Sequence, residues 1–429
     1  MSSDLELEFD PPPDPPRQIV VFFDDDESSG YRRQTNVWRI FSMTSRTDCH
    51  YQPGTNIQIT PRSVASSMLQ PTLPPDKYIS RHVLEGYKYI MRLYRPGAAI
   101  YIFGFSQAAS AAQLLADIVE YIGVLSVDNG EMVPDVWDAY IRWKFHLFRE
   151  TGEEKHRKSF EKACVRMRTT RDTMTQRVRV RFLGMFDAVD SVAGPRDRDF
   201  VPNSADVVRH AVSIDERRVK FRPLFYDCRD LEQAVAPSYV AELREEGARR
   251  ETDAQVVWFP GDHAGVGGGW KPGEGEVWPL SQNPLIWMTK AAYEAGLELK
   301  PSEVERQGCS EIYSSGETLE LEEAIQRGVI RGQIHDLLHF GNGVPKSSVL
   351  FWRLLEHLPV RRRLESRQVR WPLHRGEARQ IPPGSRVHVS AVKRMEGNES
   401  YRPANLVSGE WEVEGCSQMQ TMYTSSDGS

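Results

Sequence analysis

At 429 residues, 40% hydrophobic and 10% aromatic, the chain carries enough apolar material for one large domain or two smaller ones. Its formal net charge of −6 gives no whole-protein reason to expect nucleic acid as a partner. No apolar run reaches the roughly 20 residues of a membrane helix. The five cysteines, odd in number and without a Cys-x-x-Cys pair, argue against a disulfide framework or a cysteine-type zinc site.

Residues 1–17 (MSSDLELEFDPPPDPPR) are acidic, then Pro-rich, with neither the basic nor the apolar region of a signal peptide. They read as a disordered leader, and the chain as cytoplasmic. QIVVFFDDD (18–26) reads as a short strand ending in three acids, because a continuous apolar run marks a strand covered on both faces. Residues 35–43 put Val37, Ile40 and Phe41 at helical spacing, and the Ser/Pro-rich stretch 61–80 reads as loop. In 83–94 a helical face gathers Leu84, Tyr87, Ile90, Met91 and Tyr94 before Pro96 and Gly97 stop it. AAIYIFGFS (98–106) is a second strand, followed at once by a small-residue helix from Ala108. Residues 130–176 form a charged helical insert, a candidate lid.

A third strand over 178–192 ends in an acid at Asp187. A fourth over 254–270 carries His263 just past its end, with a Gly-rich turn. A helix spans 284–297. Residues 345–407, basic and without the strand–helix rhythm, read as an extension packed on a main domain of 18–344, and 408–429 as a flexible tail. Strands alternating with helices predict an α/β fold: a mainly parallel sheet with helices on both faces.

Ser106, Asp187 and His263 each follow an apolar strand, at the edge of an open α/β sheet where sites assemble. Their order, Ser…Asp…His, is that of α/β-hydrolases. In that arrangement Ser106 Oγ attacks an acyl carbonyl, His263 takes its proton and Asp187 orients the imidazole. An oxyanion hole would draw on the N–H of Gln107 and one from the first strand's end, near Asp25 and Asp26. Each residue has a plainer role open to it: Ser106 as a helix N-cap, Asp187 as a turn cap, His263 as a loop residue without a partner. The GVGGG run (265–269) lacks the Walker lysine and reads as a turn shaping the His263 loop. Asp24, Asp25 and Asp26 raise a metal-assisted alternative, weak because metal ligands usually come from several segments. The basic stretches 156–172 and 360–370 read as solvated helix faces; contact with anionic lipid is the sharper alternative.

The ordered motifs IVVFFDDD with TNVWRI, YQPGT, YRPGAAIYIFGFSQAA, FLGMFDAVDSV, VRHAVSIDERRVKFRP, VVWFPGDHAGVGGGW, IHDLL, WRLLEHLP, IPPGSRVHVS and YRPANL resemble fungal members of the DUF2235 family. That group of α/β-hydrolases includes Tle1-like phospholipase effectors of type VI secretion. The resemblance spans about residues 18–406. It implies an α/β-hydrolase fold, a triad at Ser106, Asp187 and His263, a lipid or other apolar ester as substrate, and no cofactor; peripheral membrane contact is an option raised by the basic stretches alone. The family pattern has Asp-Gly-Thr where this chain has Asp24-Asp25-Asp26, Arg-Gly where it has Gln107-Ala108, and Ser-Asp where it has Ala264-Gly265. Asp25 in place of glycine sets a carboxylate beside the developing oxyanion, whose charge it opposes, and removes freedom for a positive φ. These departures raise a second reading, a catalytically degenerate member kept as a binding or regulatory module.

Overall fold

The computed structural model describes residues 18–25, 35–45, 48–54, 77–146, 154–189, 204–223, 252–272, 277–313, 326–341, 344–357, 375–406, 411–415 and 421–422. The expected leader, Asp26, the loop residues 61–76, the basic stretch 360–370 and most of the expected tail lie outside them.

The first half alternates as its apolar pattern requires. It runs β1 (Gln18–Phe23), α1 (Asn36–Met43), β2 (Cys49–Gln52), α2 (Lys77–Leu93), β3 (Ala99–Phe105) and α3 (Ser106–Tyr121). A small antiparallel ladder of β4 (Val124–Leu125) and β5 (Thr175–Gln176) brackets α4 (Val133–His146) and α5 (Glu154–Met174). Then come β6 (Val180–Phe186), β7 (Ala205–Ser213), β8 (Asp253–Phe259), the short α6 (His263–Gly267), α7 (Gln282–Glu294) and α8 (Pro301–Arg306). The chain continues with α9 (Lys346–Glu356), β9 (Arg386–His388), α10 (Val389–Gly397), β10 (Trp411–Glu414) and β11 (Thr421–Met422).

Among the described residues nine strands form one sheet in the order β11-β10-β9-β8-β7-β6-β3-β1-β2. Every pairing is parallel except that of β10 with the edge strand β11. The continuous apolar runs are explained by burial on both faces. In β1, Ile19, Val21 and Phe23 enter the core shared with α2 and α3, while Val20 and Phe22 enter the core shared with α1 and α7. On that second face Phe22, Phe103 and Phe182 form a row across three strands, with ring centroids 5.2 and 5.4 Å apart. Truncating such a buried ring to alanine costs about 3–5 kcal/mol. Buried residues of the charged insert, Val136, Trp137, Tyr140, Ala163 and Met167, join the α3 face.

Two differences from the sequence expectation have physical causes. β7 is central, yet its apolar run is broken by Arg209 and His210, both buried. Arg209 is held there by Asp253 of β8 at 2.6 Å, so a charge sits inside a strand without being exposed. β9 and β10 fall where an extension and a tail were expected. Their few residues carry only a short alternation, Trp411 and Val413 inward and Glu412 and Glu414 half-buried.

Parallel order places the carboxyl ends of β1, β3, β6, β7 and β8 side by side. Asp24, Asp25, Ser106, Asp187, Ser213 and the loop to His263 therefore share one edge of the sheet.

Candidate active site

Ser106 stands at the turn between β3 and α3. Its φ is +58°, in the left-handed region that costs a non-glycine residue energy, as a sharp strand-to-helix elbow requires. The N-cap position belongs to Phe105, with no side-chain cap, so Ser106 is not the capping residue that one reading allowed. The turn is tight because Gly104 lacks a side chain: a Cβ there would lie 2.5 Å from the Ala109 Cα. Ser106 Oγ is buried and makes no hydrogen bond.

Asp187, also at positive φ (+38°), is fully buried at the end of β6. It caps no turn. Its Oδ2 lies 2.6 Å from His263 Nδ1. Its Oδ1 accepts from the Ser213 backbone N–H at 2.9 Å, and its Oδ2 from the Ser213 hydroxyl at 3.1 Å. Arg379 donates to both oxygens, at 2.6 and 3.1 Å. Burial pushes this carboxyl up, but the Arg379 charge and the His263 bond more than offset it and hold Asp187 well below the usual carboxylate range. The ionised acid can only accept, so Nδ1 of His263 carries the proton and Nε2 presents a lone pair. Nε2 is buried and unbonded, as is Ser106 Oγ, so the serine–histidine bond is not closed in this state. The imidazole lies between Phe105, stacked at 4.7 Å, and Phe221, edge-on at 4.7 Å.

The side expected to supply oxyanion donors carries acids. The Gln107 N–H donates to the Asp25 carboxylate at 3.2 Å, and the Asp25 N–H to the Asp24 carboxylate at 2.9 Å. Asp25 is not at positive φ, so the turn after β1 does not need the freedom of the glycine it replaces. Asp24 is buried, and its Oδ2 accepts from Thr35 at 2.5 Å and Tyr51 at 2.6 Å. Burial raises its carboxyl to about 7, with these bonds pulling the other way. With its oxygens turned to protein donors, Asp24 is poorly arranged as a metal ligand. Among the described residues no group of three or more His, Cys, Asp or Glu could hold a metal ion.

Beyond the expected residues, Glu216 accepts the His263 backbone N–H at 3.3 Å. Burial would raise Glu216, but Arg218, bonded to it at 2.9 Å, brings it down to about 2. Arg218 also lies over the Phe221 ring at 3.5 Å. Ser213 ends the unrecognised β7, Glu216 and Arg218 follow it, and Arg379 is one arginine in a basic stretch. No local spacing singles them out.

A family model described as the T6SS Tle1-like phospholipase effector, catalytic domain, matches residues 17–291. Uncharacterized protein YEL023C of Saccharomyces cerevisiae is 24% identical, with 87% of this chain and 78% of that one covered. Among solved structures, an uncharacterized protein from Pseudomonas aeruginosa is 16% identical with a TM-score of 0.36, covering 73% of this chain and 53% of that one. The Tle1 effector bound to the VgrG spike of the type 6 secretion system is 16% identical with a TM-score of 0.28, covering 62% and 52%. The chain spans about half the length of these two structures.

Proposed function

Because the chain belongs to the Tle1-like phospholipase effector catalytic-domain family, we propose that it is a serine hydrolase of α/β-hydrolase type acting on a lipid or other apolar carboxylic ester. The observation that carries the reading is Ser106, strained on its elbow with Oγ unbonded, one residue from the Phe105 ring that stacks on the Asp187-bound His263. Ser106 Oγ attacks the ester carbonyl while its proton passes to His263 Nε2. The tetrahedral intermediate collapses, and the leaving alcohol takes that proton. A water, deprotonated by the same nitrogen, then attacks the acyl-serine; the acid leaves as the proton passes from His263 Nε2 back to Ser106 Oγ. Asp187 stays ionised throughout and stabilises the imidazolium. The yeast relative supports placing the chain with the fungal-type members. Substrate would be met at a membrane surface, from the cytoplasmic side; no helix among the described residues is long and apolar enough to cross a membrane.

The test is hydrolysis of p-nitrophenyl esters of graded chain length and of phospholipid vesicles, beside labelling by a fluorophosphonate. Wild type reacts and Ser106→Ala does not. Hydrolysis that survives Ser106→Ala removes the assignment.

The second reading, a degenerate member that binds without turnover, is favoured by one contact: the Asp25 carboxylate on the Gln107 N–H. Labelling of Ser106 at neutral pH counts against it.

A further inference from the structure

We infer that Arg379 is a positioning residue of this site, clamping the Asp187 carboxylate and setting how strongly it draws a proton onto His263. The inference rests on the serine-hydrolase reading and adds a residue from outside the matched span 17–291. A serine triad needs only an acid that orients its histidine. Here that acid is shared with a cation.

The geometry is that of a built site. Arg379 is buried, with its side chain 5% exposed. Nη1 donates to Asp187 Oδ1 at 2.6 Å and Nη2 to Oδ2 at 3.1 Å, the two-pronged fit of a guanidinium to a carboxylate. Both Nη groups reach further acceptors, while Nε is buried and makes no hydrogen bond. Nη1 reaches the Ser213 hydroxyl at 2.7 Å and the Ser213 carbonyl at 3.1 Å, and Nη2 reaches the Phe221 carbonyl. One side chain therefore ties the end of β6, the end of β7 and the loop whose Phe221 ring flanks His263. Its own backbone is pinned in turn: Asn405 donates to the Arg379 carbonyl at 3.1 Å and to the Ile214 carbonyl at 3.0 Å.

Position and charge act differently. The fork holds both oxygens, so Oδ2 stays aimed at His263 Nδ1. The charge opposes protonation of the imidazole, because a cation on the far side of Asp187 offsets part of the field that stabilises imidazolium. The other titratable groups that interact with this pair are His210 of β7 and Glu216, which follows β7 and is bonded to Arg218. Burial lowers His210 to about 4, so it is neutral where the site works. Glu216 is matched by Arg218. Among these groups Arg379 is the cation in direct contact with Asp187.

The experiment follows Ser106 labelling by a fluorophosphonate against pH in the full chain, with wild type, Arg379→Gln and Arg379→Lys. Arg379→Gln moves the acid limb of the labelling rate up by about one pH unit. Arg379→Lys keeps the charge and leaves the limb in place, but slows labelling on the order of ten-fold because the fork is lost. The downfield NMR resonance of the His263 Nδ1 proton reports the same balance without turnover, and its titration midpoint moves with the limb. Lower rates in Arg379→Gln at every pH, with limb and resonance unmoved, overturn the inference. So does Arg379→Lys labelling at the wild-type rate, a result that stands even if the glutamine variant does not fold. A wild type that fails to label while the resonance still shifts in Arg379→Gln sinks the hydrolase reading and leaves the Arg379–Asp187 coupling intact.

Discussion

The backbone N–H of Gln107 donates to the side chain of Asp25 at 3.2 Å. On the hydrolase reading proposed above, that N–H is the donor aimed at the developing oxyanion, and the Asp25 carboxylate already sits on it. A carbonyl oxygen must displace the carboxylate to use the donor, and the oxyanion then forms beside a fixed negative charge. Asp25→Gly removes both obstacles. One oxyanion donor is worth roughly 10²–10³ in kcat, so recovering part of it raises kcat on p-nitrophenyl esters by at least about ten-fold. An unchanged kcat would mean that Asp25 already leaves the site when substrate binds.

Ser106 sets chemistry against stability. Its φ of +58° strains any residue with a Cβ and suits glycine. Ser106→Gly is therefore expected to abolish fluorophosphonate labelling and yet to stabilise the fold by about 1 kcal/mol, read from urea midpoints. Ser106→Ala removes the buried unbonded hydroxyl as the glycine variant does but keeps the strain, so the difference between the two reads the elbow. Equal stability for the glycine and alanine variants would show that the elbow is relaxed.

The parts of this site readable in the sequence are those whose signal is local. Ser106, Asp187 and His263 each follow a run buried on both faces, and such runs stand out because apolar residues fill both parities of the strand. What escaped depends on pairing across the fold. β7 hides its strand character behind Arg209 and His210, whose burial depends on Asp253 and on the Ala188 N–H, donated to His210 Nε2 at 3.0 Å. Arg379 resembles Arg375 in composition and local setting; only the folded chain brings it to Asp187. Asp25 was legible as an odd residue at a sensitive place. Its contact was not, because a side chain's direction is not written in its neighbours.

Asp24 makes stability depend on pH with a definite sign. Burial raises its folded pKa from 3.8 to about 7. Between those values the folded chain holds a proton that the unfolded chain has released. The contribution of Asp24 to stability is thus complete below about pH 4 and is lost as pH rises through 7, a difference of about 4 kcal/mol at most. Asp215, raised by burial to about 6, has the same sign, while His210 and His388, lowered by burial, have the opposite one. Comparing Asp24→Asn with wild type isolates the term. Urea midpoints of wild type fall relative to the variant between pH 4 and pH 7; parallel curves would place the Asp24 carboxyl near its ordinary value.

Gly267 holds His263 in place by lacking a side chain. A Cβ built there would lie 1.8 Å from a Phe105 ring carbon, so any side chain must push that ring aside. Phe105 is the face on which His263 stacks, and Phe221 packs edge-on against the same imidazole, so displacing the Phe105 ring disturbs the packing that holds His263 at Asp187. Gly267→Ala is expected to destabilise the fold by about 1–3 kcal/mol, as overpacking does. It should also slow Ser106 labelling by at least about ten-fold, because small displacements of a catalytic group are costly. Gly130→Ala is the control, since its new methyl would meet nothing closer than Met91 Cε at 3.5 Å. A double-mutant cycle with Phe105→Leu locates the clash: a smaller ring-side residue makes room for the methyl, so the two losses are less than additive. Strict additivity would show that the strain of Gly267→Ala is relieved elsewhere, and that this glycine does not govern the position of His263.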